Sequence, residues 1–336
     1  MVVRLISERD QNSARQLVEA QGFRFEENFD VLVGVFDAGE LIATAAREGH
    51  IFKMICIRED FQGGSLLGEL LTELIASCSA CRRDNFFVFT KPERRSSFEQ
   101  LNFRVLVEHP QLCLLEYGNG LQNYLRQQRE LVRPGNNGAI VMNANPFTLG
   151  HLYLVEQAAA QVDQLYLFVV REDCSTFPFA TRIALVREGV AHLANVSVLE
   201  TSDYAVSRVT FPAYFLKAGA DVETLQMEVD LLLFARCLAP AFNITTRFVG
   251  TEPYCRVTRH YNETMIRLLA EEGIKTVLLS RREVKGEPIS ASLVRRLLKK
   301  EAFEELDSLV PETTLACLRS HQAAEIHERL RAQGRH

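Results

Sequence analysis

The sequence predicts two successive folds: a mixed α+β domain, then an α/β domain built on a Rossmann-like parallel sheet. Three observations carry this expectation. At 336 residues the chain exceeds what one ordinary hydrophobic core organises. Pro134, Gly135 and Gly138 in "RPGNNG" break the chain near its middle. Beyond that break, short apolar strands alternate with amphipathic helices, the pattern of a parallel sheet covered on both faces.

Taken in order, "VLVGVFDAGELIATAA" (31–46) reads as a hairpin turning at Asp-Ala-Gly. "HIFKMICI", Gly63-Gly64 and "SLLGELLTELIASC" form a strand, a glycine turn and a helix whose leucines recur at three and four residues. "NFFVFTK" and "QLCLLEY" supply two more strands, so the first domain is expected over 1–120. A connecting helix, "LQNYLRQQRELV", and the glycine-rich break occupy 121–136. The second domain spans 137–336. Its strands are expected at "AIVMNA", "QLYLFVV", "VSVLE", "ITTRFVG" and "TVLLS", with helices at 149–161, 180–193, 222–238 and 258–273 between them. Ligands of such sheets bind beyond the carboxyl ends of the strands.

Composition excludes several classes. The net charge of -5 gives no reason to expect nucleic acid as a partner. No apolar run is long enough to span a bilayer, and the N-terminus lacks a signal-peptide layout, so a cytoplasmic protein with no membrane partner is expected. Most of the eight cysteines lie in apolar stretches, as buried thiols of a reducing compartment. Cys78 and Cys81 share a helical face and are expected to pack there; no second pair at zinc-site spacing accompanies them, and no protein metal site is expected. There is no P-loop, and "GNGLQN" lacks the context of a dinucleotide fingerprint.

Two helix starts carry the chemistry. In "NPFTLGHLYLVEQA" (145–158), Thr148 stands at an N-cap, Gly150 keeps side-chain bulk away, and His151 projects from the first turn. Free N–H groups and the helix dipole favour an anion there, and a histidine can donate to a phosphoryl oxygen as charge moves onto it. The same residues also suit plain capping. In "GEPISASLVRRLLKK" (286–300), Pro288 and Ser290 prepare a second helix start, Ser290 and Ser292 bring hydroxyls, and Arg295 and Arg296 follow. Each start follows a strand of one sheet, which favours a shared phosphate cradle over two separate caps.

"TLGH" with "ISASLVRRLL" resembles the paired motifs of the nucleotidylyltransferase superfamily, which includes phosphopantetheine adenylyltransferase. The resemblance implies that Thr148, Gly150, His151, Ser290 and Ser292 bind the ATP phosphates and stabilise in-line attack on the α-phosphate, Thr148 and His151 as the catalytic pair, with Mg²⁺ present; Asn145 and Arg295, beside these motifs, are expected to bind ATP as well. "NANPFTLGH", "STFPFATR", "SRVTFPAYFLK", "VGTEPYCRVTRHYNETM" and "GEPISASLVRRLL" together resemble the citrate (pro-3S)-lyase ligase family over nearly the whole chain. That family implies an acetyltransferase-like (GNAT-like) first domain. It also implies acetate and the phosphopantetheine-type thiol of the lyase's acyl-carrier subunit as co-substrate and partner. AMP, pyrophosphate and an acetyl thioester are the implied products.

Acetate requires a small pocket with one or two cationic or hydroxyl groups; Arg182, Thr210, Lys217 and Arg281 are candidates. Glu252, Tyr254, His260, Tyr261 and Asn262 either line the cleft or satisfy a polar helix start. The first domain departs from the acetyltransferase pyrophosphate loop: "QGGSLL" keeps Gln62 but has Ser65 and Leu67 where small residues belong. Two other readings stay open from sequence, an adenylyltransferase making a soluble coenzyme and a GNAT acetyltransferase.

Overall fold

The computed structural model describes residues 1–78, 85–171, 175–206, 222–252, 256–320 and 323–332. The chain forms two compact units, Met1–Arg126 with Phe211–Val229, and Gln127–Thr210 with Asp230–His336.

The first unit holds a seven-stranded sheet in the order β1 (Val2–Arg4), β2 (Val31–Asp37), β3 (Glu40–Glu48), β4 (Ile51–Ile57), β5 (Phe86–Thr90), β7 (Leu112–Tyr117), β6 (Phe103–His109). The expected hairpin turns at Ala38 (φ 47°) and Gly39 (φ 87°), two left-handed residues whose twist suits a two-residue connection. Helix α1 (Glu8–Ala20) covers one face through Ala14 and Val18, and α2 (Leu66–Ala76) covers the other through Leu70, Leu71 and Leu74. β1, α1, the short α3 (Arg95–Glu99) and β6 are additions to the sequence-based elements, and α4 (Gly120–Gln128) is the expected connecting helix. Among the described residues of this sheet only β4 and β5 run parallel, and they share just two register pairs, Ile51 with Phe87 and Phe52 with Val88. Beyond those pairs the strands part around a cavity of about 1090 Å³, lined by Lys53, Ile55, Leu67, Val88, Thr90 and Arg94 among others. This is a mixed α+β arrangement. Cys78 does pack in this core, yet it is disulfide-bonded, a correction to the expected free thiol; Cys81 lies outside the described residues.

The second unit has five strands in the order β10 (Val196–Glu200), β9 (Gln164–Val169), β8 (Asn137–Met142), β11 (Ile244–Gly250), β12 (Lys275–Leu279), every pair parallel. Alternation divides the side chains. Leu165, Leu167, Val169 and Phe248 enter the core shared with α5 (Leu149–Ala159), α6 (Phe179–Gly189) and α9 (Ala291–Lys299). Tyr166 and Phe168 point the other way and pack on Phe242, 5.0 and 5.5 Å between ring centres. From Asp230 onward α7 (Val222–Leu233, continued by a π-helical turn to Leu238) belongs to this unit, and with α8 (Arg256–Glu271) it completes the alternation. Two further helices, α10 (Glu312–Arg319) and α11 (Ala323–Ala332), extend the core beyond what periodicity indicated. The chain builds β8, β9 and β10 outward to one side and then places β11 on the other side of β8. The strand order therefore reverses between β8 and β11, the point at which such sheets hold ligands.

Candidate active site at the sheet reversal

The loop leaving β8 is tightly held. Ala144 takes a left-handed backbone (φ 51°) while nearly wholly buried, a strained setting of the kind found at functional loops. The Asn145 side chain accepts from the Phe177 N–H at 2.9 Å. Thr148 then caps α5 as expected: its Oγ accepts the His151 N–H at 3.3 Å, and its own N–H donates to His151 Nδ1 at 3.1 Å.

That second bond determines what His151 does. A backbone N–H only donates, so Nδ1 is an acceptor, and the proton of the neutral ring belongs on Nε2. The surrounding protein, reinforced by the positive charge of Arg281, lowers the imidazole to about 4. At neutral pH the half-buried ring is therefore uncharged and presents an Nε2–H donor. It also stacks on Phe147, 5.8 Å between centres. Capping and function use opposite ends of one ring.

Fewer N–H groups are free at this helix start than its sequence implied. Leu149 donates to the Leu309 carbonyl at 2.9 Å, so the C-terminal segment takes one of them. Among the described residues, the Gly150 N–H has no acceptor.

Gly150 has a specific packing reason. A Cβ there would stand 2.7 Å from the Ile289 carbonyl oxygen and 3.3 Å from Ile289 Cβ. The absence of a side chain lets the chain entering α9 lie directly against the first turn of α5. Ser290, the next residue, caps α9 by accepting the Leu293 N–H at 3.1 Å. Pro288, expected in the helix start, lies instead in a two-residue hairpin, β13 (Glu283–Val284) with β14 (Glu287–Pro288). Ser292 is exposed on the first turn of α9 and accepts from Arg295 Nη2 at 3.2 Å. Arg295 Nη1 donates to the Asn145 carbonyl at 2.5 Å, joining α9 to the β8 loop. The structure thus gathers Asn145, Thr148, Gly150, His151, Ser290, Ser292 and Arg295 at one place.

The proposed acetate contacts fare differently. Arg182 is 0% exposed, and its guanidinium donates to the carbonyls of Phe177, Asn143 and Val170 and to Asn143 Oδ1 at 2.7–3.0 Å. It is a strut beneath the β8 and β9 loops and offers no surface to a small acid, which corrects the substrate role expected of it. Arg281 follows β12, donates to the Thr251 carbonyl and pairs with Glu252. Burial is the main reason the His151 imidazole is lowered, and the Arg281 charge adds to it. Thr210, Lys217 and Tyr254 lie outside the described residues. Asn262 is buried beside the end of β11, its Nδ2 donating to the Gly250 carbonyl at 3.2 Å while Oδ1 has no partner among the described residues. Among the described residues no group of His, Cys, Asp and Glu converges to hold a metal ion.

Two apposed helix starts at the reversal of a parallel sheet, one carrying a neutral histidine donor, define a nucleotidylyltransferase-type α/β protein. Residues 137–318 match the family model of the citrate lyase ligase C-terminal domain. The chain is 38% identical over 313 residues to the citrate (pro-3S)-lyase ligase of Escherichia coli (strain K12), covering 91% of this chain and 89% of that protein. With the enzyme of the same name from Klebsiella pneumoniae it shares 42% identity over 285 residues, 83% of each chain. A phosphopantetheine adenylyltransferase of Streptococcus gordonii is 29% identical over 137 residues, 39% of this chain and 80% of that one. The chain belongs to the citrate lyase ligase family, as its five motif segments indicated.

Proposed function

We propose that the protein acetylates the prosthetic-group thiol of citrate lyase at the expense of ATP, by way of acetyl-AMP, and so activates the lyase. A carboxylate oxygen of acetate attacks the α-phosphorus, the bond to the β-phosphate oxygen breaks, and pyrophosphate leaves. The thiolate of the acyl-carrier subunit then attacks the acetyl carbon and AMP departs, the thiol proton passing to solvent. The apposition of Gly150 and Ile289 is the observation that carries this reading, because it lays two donor-bearing helix starts side by side. His151 Nε2–H, the Gly150 N–H and the Ser292 hydroxyl are the donors we assign to the phosphates, with Asn145, Thr148, Ser290 and Arg295 holding them in place. Catalysis of this kind is positioning and charge stabilisation without a covalent enzyme intermediate.

Mg²⁺ would be carried by the oxygens of the ATP phosphates and would supply neutralisation of charge on the leaving pyrophosphate; the described residues form no His, Cys, Asp and Glu cluster that would hold it separately. ATP and a reduced thiol acceptor place the reaction in the cytoplasm.

The first unit we assign to the acceptor. Acetyl-AMP is lost if water reaches it before the thiol, so the arm has to be held ready. Parted β4 and β5 leave main-chain groups facing the cavity, suited to an extended, amide-bearing pantetheine chain. The start of α2 is poorly suited to a pyrophosphate: Ser65 Oγ donates to Glu69 at 2.6 Å, so a carboxylate already stands there. Incubation with ATP, labelled acetate and the deacetylated lyase tests the proposal. One AMP per acetyl thioester is expected; ADP as the nucleotide product refutes it.

A further inference from the structure

Among the described residues, the second unit buries a guanidinium without a hydrogen-bond partner. Alternation along β11 sends Phe248 into the core beneath α5 and Arg247 to the opposite face. There Arg247 is 4% exposed, and its guanidinium carbon lies 4.2 Å from the centre of the Phe234 ring. Nη1 is buried without a hydrogen-bond partner, and among the described residues the guanidinium makes no hydrogen bond or ion pair. Asp230 and Tyr261 act on it electrostatically, yet both oxygens of Asp230 are already engaged. Oδ1 accepts the Val206 N–H at 2.5 Å and Oδ2 the Tyr261 hydroxyl at 2.8 Å. Buried guanidinium groups without acceptors are costly, and native interiors rarely contain them.

The surroundings indicate which acceptor is missing. Phe234 meets Phe168 edge-on at 6.4 Å, and Phe168 meets Phe242 at 5.5 Å, so the floor is aromatic. A planar fork over an apolar floor matches a planar carboxylate with a short aliphatic tail. Phosphate carries oxygens on every side and would leave several of them against rings. Arg247 also sits on the strand next to β8 at the sheet reversal, three residues before the end of β11.

We infer that Arg247 is the carboxylate anchor of the second unit, holding a small aliphatic acid such as acetate through its guanidinium with the methyl group against the aromatic face. The inference rests on the acetate chemistry proposed above and names the residue that holds that co-substrate. Each carboxylate oxygen keeps a second lone pair, so binding leaves electrons available for attack on phosphorus.

The test uses full-length Arg247→Gln and Arg247→Lys with two readouts. One is the rise in melting temperature caused by sodium acetate, against sodium chloride, with no nucleotide present. The other is KM for acetate and for ATP in ATP–pyrophosphate exchange. Arg247→Gln is expected to lose the acetate-induced rise and to increase KM for acetate at least tenfold, with KM for ATP within twofold of wild type. Arg247→Lys is expected to be intermediate, since the ammonium keeps the charge but not the fork; it carries the test alone if the glutamine variant does not fold. A wild-type KM for acetate in the folded variants would overturn the inference and leave Arg247 as a counter-charge to Asp230. A raised KM for ATP with acetate unaffected would overturn it in favour of a phosphate. Acetate-induced stabilisation in a wild-type protein that shows no acetate-dependent exchange would sink the ligase reading while leaving the carboxylate site standing.

Discussion

Gly150→Ala tests the architecture of the site at its narrowest point. The new methyl would stand 2.7 Å from the Ile289 carbonyl oxygen, about 0.7 Å inside the 3.4 Å at which ordinary contact begins, and the obstacle is backbone. Overpacking of this kind costs roughly 1–3 kcal/mol, while alanine in place of glycine in a helix returns about 1 kcal/mol. Stability should therefore fall by no more than about 2 kcal/mol. Activity should fall much further, because relief of the clash pushes the start of α9 away from α5, and displacements approaching 1 Å cost on the order of 100-fold in rate. Thermal melting and acetate-dependent ATP–pyrophosphate exchange, measured on the same preparation, separate the two effects. A variant that melts near wild type and exchanges at the wild-type rate would show that the close approach of the two helix starts is irrelevant to chemistry.

Other consequences follow from single residues. His151→Ala should raise the barrier to adenylylation by about 2–4 kcal/mol, as loss of a donor to developing charge does, in addition to the roughly 1–3 kcal/mol of stability lost with the acceptor of the Thr148 N–H; a folded variant with unchanged exchange would leave His151 as a cap alone. With its imidazole lowered from an ordinary 6.5 to about 4, His151 binds fewer protons folded than unfolded between those values. Its contribution is complete above pH 6.5 and is lost as pH falls towards 4, at most about 3 kcal/mol. Comparing the melting of wild type and His151→Asn across that window checks the sign. Arg182→Met should destabilise by about 3–5 kcal/mol through carbonyls left without donors; a melting temperature within a degree of wild type would contradict its role as a strut. Leu67→Trp, which fills the cavity of the first unit, should leave ATP–pyrophosphate exchange intact and slow acetyl transfer to the lyase thiol at least tenfold. Equal loss in both assays would refute the separation of roles. Deleting the first unit is a poorer test, because Phe211–Val229 belongs to it and would be stranded.

Much of the parallel sheet was legible because its strands are short apolar runs and its helices carry apolar stripes. The two helix starts were legible because capping chemistry writes itself in local order, Thr-x-x-His and Ser-x-Ser. What escaped is what depends on the third dimension. α1 buries only Ala14 and Val18, too thin a stripe to read, and β6 shifts register between Val105 and Val107, which breaks its alternation. Arg182 looked like an available cation in a motif, and only the convergence of three distant carbonyls shows that it is spent. Arg247 sits among ordinary strand residues, "ITTRFVG", and nothing local marks its lack of a partner. Cys78 and Cys81 spaced for one helical face gave no sign that Cys78 would be oxidised.

The central claim is that the paired helix starts make an acyl adenylate from acetate. ATP–pyrophosphate exchange, followed with labelled pyrophosphate in the absence of any lyase, measures that step alone. Exchange is expected to require acetate, to stop when acetate is withdrawn, and to fall together with acetyl-AMP formation by roughly 30- to 1000-fold in His151→Ala. Exchange that proceeds equally without acetate would contradict the claim.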